Sequence, residues 1–125
     1  MRFSFATIYV KNMSESEAFY KDVLNMSVAT SFSPQPGVKI TFLKDEAGNA
    51  LELIENPADP RKFEIFTGLV SLCYAVESLA DTLKMLEKKQ ISVSRGPVEV
   101  PGGVKFAYIN DPNGAEIQFI EGFRL

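Results

Sequence analysis

Few side chains in this sequence could do chemistry, because its 125 residues include no histidine and one cysteine, Cys73. Histidine titrates closest to neutral pH and is a common ligand of transition metals. Cys73 would need a neighbouring base or cation to become a nucleophilic thiolate, so we interpret it as a small buried residue. Any catalysis must depend on carboxylates, amides, hydroxyls, amines or this thiol.

Glu52 is the strongest candidate for a functional carboxylate. It stands between Leu51 and Leu53 in a segment with strand-like alternation, so its side chain lies on the face opposite both leucines. If the leucines pack under a helix, Glu52 faces the other side, where it could anchor a ligand or act as a general base. The alternative is a solvated carboxylate in a wet groove, and the sequence leaves both interpretations open.

Two further segments carry apolar and polar side chains on one strand face, a mixture typical of small-molecule pockets. At alternate positions the first segment has Phe5, Thr7 and Tyr9, and the second has Ser71, Cys73 and Ala75. We predict that ligand contacts come from Phe5, Thr7, Tyr9, Ser71 and Cys73, together with Glu52. For Phe5 the favoured alternative is an interior or subunit contact.

An internal duplication relates these positions. A shift of 66 residues places Leu51–Glu55 on Ile117–Glu121, and the same shift holds without a gap from residue 5 to residue 55. Gln118 is thereby the counterpart of Glu52. Its amide can donate and accept, which suits a neutral, oxygen-rich ligand, although it could equally bond Glu52 or the backbone.

Each half of the repeat predicts a strand, a helix and three more strands. The first half has strands near Phe3–Val10, Ser27–Ser33, Val38–Lys44 and Ala50–Glu55, with a helix ending at about Leu24. The second half has strands near Leu69–Val76, Ser92–Gly96, Val104–Asn110 and Ala115–Glu121, with a helix at about Leu79–Lys89. Asn12 or Ser14 can cap the first helix, Ser14 in a capping box with Glu17, and Ser78 can cap the second.

The halves are βαβββ modules over residues 1–55 and 69–125, joined by a linker at 56–68 that contains prolines. One helix cannot cover both faces of a four-stranded sheet. We therefore predict a single α+β domain over residues 1–125, in which the modules share a core.

Three motifs add to this order of elements. They are Ser16-Glu17-Ala18-Phe19-Tyr20, then Gly48-Asn49-Ala50-Leu51-Glu52-Leu53, and Asp111-Pro112-Asn113-Gly114 followed by Ile117-Gln118-Phe119. With the repeat, they make nearly the whole chain resemble the vicinal-oxygen-chelate superfamily. That superfamily includes glyoxalases, extradiol dioxygenases, fosfomycin-resistance enzymes and bleomycin-resistance proteins.

The resemblance implies a curved, eight-stranded mixed sheet with helices on its outer face. It also implies four inward positions, which here are Phe5, Glu52, Ser71 and Gln118. Metal-binding relatives usually place His or Gln at the two first-strand positions and Glu at the two fourth-strand positions. Phenylalanine cannot ligate, serine is a poor ligand and glutamine is neutral, so we expect no metal and no other cofactor.

These features lead us to expect a metal-independent protein that binds a small organic molecule, as bleomycin-resistance proteins do. One alternative is a divergent glyoxalase-type lyase or isomerase that uses Glu52, with or without a divalent metal. Another is a non-catalytic dimerising domain. The resemblance implies a homodimer in each case.

Charge and composition narrow the partners further. A net charge of −3 and a pI near 5 argue against nucleic acid and mildly favour a neutral or cationic ligand. We recognise no signal peptide and no membrane-spanning segment, and one cysteine cannot form an internal disulfide. We therefore expect a cytoplasmic protein without a membrane partner.

Overall fold

The computed structural model describes residues 1–59 and 70–125, and the chain divides into two compact units, Met1–Lys62 and Phe63–Leu125. Module 1 consists of β1 (Phe5–Tyr9), α1 (Met13–Asp22), β2 (Ser27–Phe32), β3 (Lys39–Lys44) and β4 (Ala50–Glu55). Module 2 consists of β5 (Ser71–Ala75), α2 (Leu79–Lys88), β6 (Arg95–Glu99), β7 (Lys105–Asn110) and β8 (Glu116–Glu121).

The strands are hydrogen-bonded as two four-stranded sheets, in the orders β1-β4-β3-β2 and β5-β8-β7-β6. The first strand of each module runs parallel to the fourth, and the other neighbours are antiparallel. Parallel neighbours need a crossover connection between them, and here the helix begins that connection. The predicted α+β fold of two tandem βαβββ modules is confirmed.

Side-chain caps decide where the helices begin. Asn12 has extended backbone angles, and its Oδ1 accepts a hydrogen bond from Glu15 N at 2.9 Å. Asn12 is therefore the cap, and the alternative capping box of Ser14 with Glu17 is wrong. The cap predicted for α2 is confirmed, because Ser78 Oγ accepts from Asp81 N at 3.1 Å.

Each helix packs on one face of its own sheet, over the apolar residues of the fourth strand. Leu51 and Leu53 of β4 are buried, as are Ile117 and Phe119 of β8. These residues alternate with more accessible ones along both strands. The opposite face of each sheet is therefore the one that carries Glu52 or Gln118.

Matching turns join the third and fourth strands. Asp45 N donates to Asn49 O at 3.1 Å, and Gly48 has a φ of 86° that favours glycine. Asp111 and Gly114 repeat this arrangement in module 2. Partial burial acts to raise the pKa of Asp45, but hydrogen bonds from Asn49 and the turn backbone outweigh it and lower that pKa below its usual value.

Strand β6 departs from the prediction of Ser92–Gly96, because it spans Arg95–Glu99 and includes Pro97. Proline lacks the N–H that a central strand needs, but β6 is an edge strand of its sheet and tolerates it. A Cβ at Gly96 would lie 3.0 Å from the carbonyl oxygen of Phe106, so the close approach of β7 requires glycine there.

The pairing of β6 also differs from that of β2. Phe42 of β3 pairs with Thr30, whereas its counterpart Tyr108 pairs with Arg95 and not with Gly96. The shift itself stays gap-free, and what differs is the place of the strand irregularity, which lies between Val28 and Thr30 in module 1 and between Arg95 and Val98 in module 2. Beyond it the pairing agrees again, because Val98 pairs with Phe106 as Phe32 pairs with Ile40.

The predicted linker at 56–68 lies largely outside the described residues, which resume at residue 70. Its first residues form a turn in which Asp59 N donates to Asn56 O at 3.0 Å. Within residues 1–59 and 70–125, no helix has the length and apolar character that a membrane span requires.

Candidate ligand-binding site

The open face of module 1, which is the sheet face opposite α1, is organised around Glu52. Glu52 on β4 is the cross-strand neighbour of Thr7 on β1. Thr7 Oγ1 donates a hydrogen bond to Glu52 Oε1 at 2.8 Å. Among the described residues, Oε2 of this half-buried carboxylate accepts no hydrogen bond. One oxygen is thus oriented by the protein, and the other remains able to accept from a ligand.

Three phenylalanine rings lie on the same sheet face as this carboxylate. Phe42 lies directly across from Glu52 on the neighbouring strand β3. The Phe5 ring meets Phe42 edge-on, with 5.1 Å between centroids and 89° between planes. Phe32 stacks beside Phe42 at 6.4 Å and 14°. We call the group of Phe5, Thr7, Phe32, Phe42 and Glu52 the ring–carboxylate patch.

The patch is accessible in this chain, since 41% of Phe5 and 49% of Phe32 are exposed. Exposed aromatic surface beside a hydrogen-bonding group suits an organic ligand, because ring contacts stabilise it while the polar group sets its orientation. Tyr9 follows Thr7 on the same face of β1 and is 38% exposed. The predicted group of Phe5, Thr7, Tyr9 and Glu52 is thus carried by two adjacent strands.

Sequence reasoning missed Phe32 and Phe42. The signal was present in β3, where Thr41 and Leu43 are buried under the helix and Phe42 alternates with them. Phe32 gave a weaker signal, because every residue of the edge strand β2 is exposed.

The open face of module 2, opposite α2, places Cys73 beside Gln118 and Ser71 beside Glu116. Cys73 is exposed, so its interpretation as a buried residue is wrong. Partial burial nevertheless raises the pKa of its thiol, which disfavours the nucleophilic thiolate at neutral pH. Gln118 lies across from Tyr108 on β7, the counterpart of Phe42.

An arginine that sequence reasoning did not identify occupies this second face. The guanidinium carbon of Arg95 lies 4.0 Å from the centre of the Tyr108 ring. Its Nη2 donates to both carboxylate oxygens of Glu116 at 3.0 Å. The cation is therefore held between an aromatic ring and a carboxylate.

The four inward positions implied by the resemblance do not fit a transition-metal site. Module 1 supplies the carboxylate of Glu52 and a phenylalanine without donor atoms, and module 2 supplies the hydroxyl of Ser71 and the neutral amide of Gln118. Such a metal usually takes about three protein ligands drawn from imidazole, thiolate and carboxylate. In the part of the chain that the structure describes, no group of three or more His, Cys, Asp or Glu side chains could hold a metal ion.

Comparisons with known proteins match this architecture. The family model described as the Glyoxalase/Bleomycin resistance protein/Dioxygenase superfamily matches residues 2–119. A lactoylglutathione lyase of Haemophilus influenzae is 31% identical over 117 residues, covering 90% of this chain and 86% of that protein. The crystal structure of a lactoylglutathione lyase from Agrobacterium tumefaciens is 22% identical with a TM-score of 0.72, covering 97% and 93% of the two chains. A glyoxylase/bleomycin resistance protein/dioxygenase domain from Frankia sp. EAN1pec is 18% identical with a TM-score of 0.80, covering 99% and 93%.

Proposed function

The chain belongs to the glyoxalase/bleomycin resistance protein/dioxygenase superfamily, and from this premise we propose that it binds a small organic molecule without a metal. The observation that carries the proposal is the ring–carboxylate patch, in which Thr7 orients Glu52 among three exposed or half-buried rings. We place the ligand against Phe42, with a polar group directed at Glu52.

The energetics favour an aromatic or partly apolar ligand. Covering exposed ring surface stabilises a complex by roughly 25 cal/mol per Å² of apolar area removed from water, less the entropy lost on association. The edge-on contact of Phe5 with Phe42 holds both rings in place before binding, which lowers the cost of ordering them. A carboxylate with one oxygen available then selects ligands that donate a hydrogen bond.

The donor set supports metal independence. Replacing the missing ligands with water would leave one carboxylate and neutral oxygens to hold a transition metal, and these ligands favour hard cations that bind weakly. Ring stacking and a hydrogen bond to Glu52 need no metal.

A thermal-shift screen of diverse organic molecules in chelator-treated buffer tests this function. A ligand that binds only the folded state raises the melting temperature, and the shift grows with the logarithm of the ligand concentration relative to Kd. For the molecules found, we expect Phe42→Leu to weaken binding about five- to tenfold through lost stacking. Phe123→Leu is the matched control, because Phe123 is exposed and lies outside the strands.

Two results would contradict the proposal. One is a screen in which no molecule shifts the melting temperature, and the other is binding that the chelator abolishes and added metal restores. Equal weakening by Phe42→Leu and Phe123→Leu would move the site away from the patch.

A second candidate function is a lyase reaction, favoured by the 31% identity to a lactoylglutathione lyase. Glu52 would be the general base, since Thr7 holds Oε1 and Oε2 is available to take a proton from a substrate. Assays of lactoylglutathione formation and cleavage distinguish the two functions. Turnover by the wild type that Glu52→Gln abolishes would establish the lyase, and binding without turnover would support the leading proposal.

We also propose that the protein is a cytoplasmic homodimer, as the resemblance and the single cysteine favour. Sedimentation analysis measures the assembly directly. A dimer that binds no molecule in the screen would instead favour a non-catalytic dimerising domain.

A further inference from the structure

In module 2, a side chain of the protein itself shows how a cation is held on the open sheet face. The guanidinium carbon of Arg95 lies 4.0 Å from the centre of the Tyr108 ring, and Glu116 accepts two hydrogen bonds from Nη2 of the same group. Ring and carboxylate lie on the same sheet face, on the adjacent strands β7 and β8. The open face of module 2 thus shows that an aromatic ring and a carboxylate in this arrangement hold a guanidinium group.

In module 1 the ring and the carboxylate are present, but no cation of the described residues pairs with them. Phe42 is the counterpart of Tyr108. Glu52 lies two residues further along β4 than the position that corresponds to Glu116 on β8, and therefore on the same face of the sheet. The strand neighbour that corresponds to Arg95 is Thr30, whose side chain is short and uncharged.

No cation of the described residues neutralises Glu52. Lys44 lies at the end of β3 on the same face, yet the structure shows no ion pair between the two side chains. Lys39 pairs instead with Glu55, its Nζ lying 3.7 Å from Oε2, on the helix side of the sheet. Among residues 1–59 and 70–125, nothing therefore balances the negative charge that the ring–carboxylate patch carries beside its exposed aromatic surface.

We infer that the ligand of module 1 is a planar organic cation, such as an amidinium or guanidinium compound. This inference rests on the proposed function and specifies its ligand class. The cation stacks on Phe42 and donates to Oε2 of Glu52, while Thr7 continues to hold Oε1. A delocalised planar cation suits this site, because it is weakly hydrated and is attracted both to a ring face and to a carboxylate.

The test compares benzamidine, which is a planar cation at neutral pH, with benzamide, a neutral molecule of nearly the same shape. Both are titrated into the full chain by calorimetry and by NMR of the isotope-labelled protein. We expect benzamidine to bind about fivefold or more tightly than benzamide, with the largest shifts at Thr7, Phe42 and Glu52. Added salt narrows the difference, because it screens the charge on this accessible face.

Glu52→Gln removes the negative charge and leaves the fold intact. The glutamine oxygen still accepts from Thr7, so the melting temperature stays near that of the wild type. We expect this variant to weaken benzamidine about five- to tenfold and to leave benzamide unchanged. Glu46→Gln is the matched control, because it removes the same charge from the exposed turn after β3.

Each contrary result has a distinct meaning. Equal affinities for the two probes, both weakened by Phe42→Leu, would overturn the cation and leave the proposed function standing. Equal weakening of benzamidine by Glu46→Gln and Glu52→Gln would also overturn it, since the effect would then come from net charge. Failure of benzamidine to bind overturns the inference as well, whereas the proposed function is decided by the wider thermal-shift screen.

Discussion

In both modules a glutamate at the end of the fourth strand accepts a hydrogen bond from the first backbone N–H of the helix. Glu55 Oε1 accepts from Met13 N at 2.9 Å. Glu121 Oε1 accepts from Leu79 N at 2.7 Å. In each case a lysine on the third strand lies 3.7 Å from the other carboxylate oxygen. Both glutamates lie at the positive end of a helix dipole, which stabilises them there.

The two modules differ in the side-chain contacts that connect the helix to the sheet. In module 1 Glu17 of α1 accepts a hydrogen bond from Thr41, whose hydroxyl also bonds Ser31 at 2.9 Å. The counterparts of Glu17 and Thr41 in module 2 are Leu83 and Ala107, which are apolar. A polar network thus connects helix and sheet in one module, and apolar contact replaces it in the other.

The open faces differ as well. Module 1 exposes rings and a carboxylate with an available oxygen. In module 2, Arg95 covers the ring of Tyr108 and donates hydrogen bonds to the carboxylate of Glu116. The glutamate contacts at the start of each helix, including the lysine pairs, are alike in the two modules. The side-chain contacts of the open faces differ, and this difference makes module 1 the better candidate for a ligand.

Truncating equivalent buried residues tests whether the hydrophobic packing of the two modules contributes equally to stability. Leu43 of β3 and Ile109 of β7 are both 0% exposed. We expect Leu43→Ala and Ile109→Ala each to lower the free energy of unfolding by about 2–5 kcal/mol, measured by urea denaturation. Val28→Ala, at a position 42% exposed, is the control and should cost less than about 1 kcal/mol. A large effect in one module alone would show that the two modules do not pack equivalently.

The polar network is tested by giving module 1 the apolar character of module 2. Thr41→Val removes the hydroxyl and leaves the half-buried Glu17 carboxylate without that donor, at a cost of about 1–3 kcal/mol. Adding Glu17→Leu removes the unsatisfied group, so we expect the double variant to regain much of the loss. Urea denaturation of both single variants and the double variant gives the coupling energy, and additive losses would show that the network does not stabilise the module.

The difference between the open faces is tested by removing the internal cation. Arg95→Ala leaves the Tyr108 ring and the Glu116 carboxylate without the cation that now contacts both. We expect benzamidine to bind at two sites per chain instead of one, as counted by calorimetry. The stability loss should stay below about 1 kcal/mol, because 61% of the Arg95 side chain is exposed. Lys84→Ala removes an equal charge from the exposed surface of α2 and should keep one site. One site in Arg95→Ala would break the analogy between the faces.

Much of the backbone plan could be predicted from periodicity and caps. The alternation of Leu51, Glu52 and Leu53 correctly indicated a carboxylate opposite the helix, because side chains on a strand alternate strictly between faces. The prediction failed at β6, where Gly96 and Pro97 interrupt the pattern typical of a strand. Arg95 lies within the predicted strand Ser92–Gly96, but its role was missed because that role depends on the register that places it beside Tyr108 of β7.

The sequence by itself determined the duplication, the order of elements, the cap of α2 and the face on which Glu52 lies. These features depend on neighbours within a few residues or on the repeat, and both can be read along one chain. Only the tertiary structure decided that Thr7 orients Glu52 and that Phe42 contacts both Phe5 and Phe32. Such contacts depend on the register between strands far apart in sequence, which backbone hydrogen bonds and core packing set together.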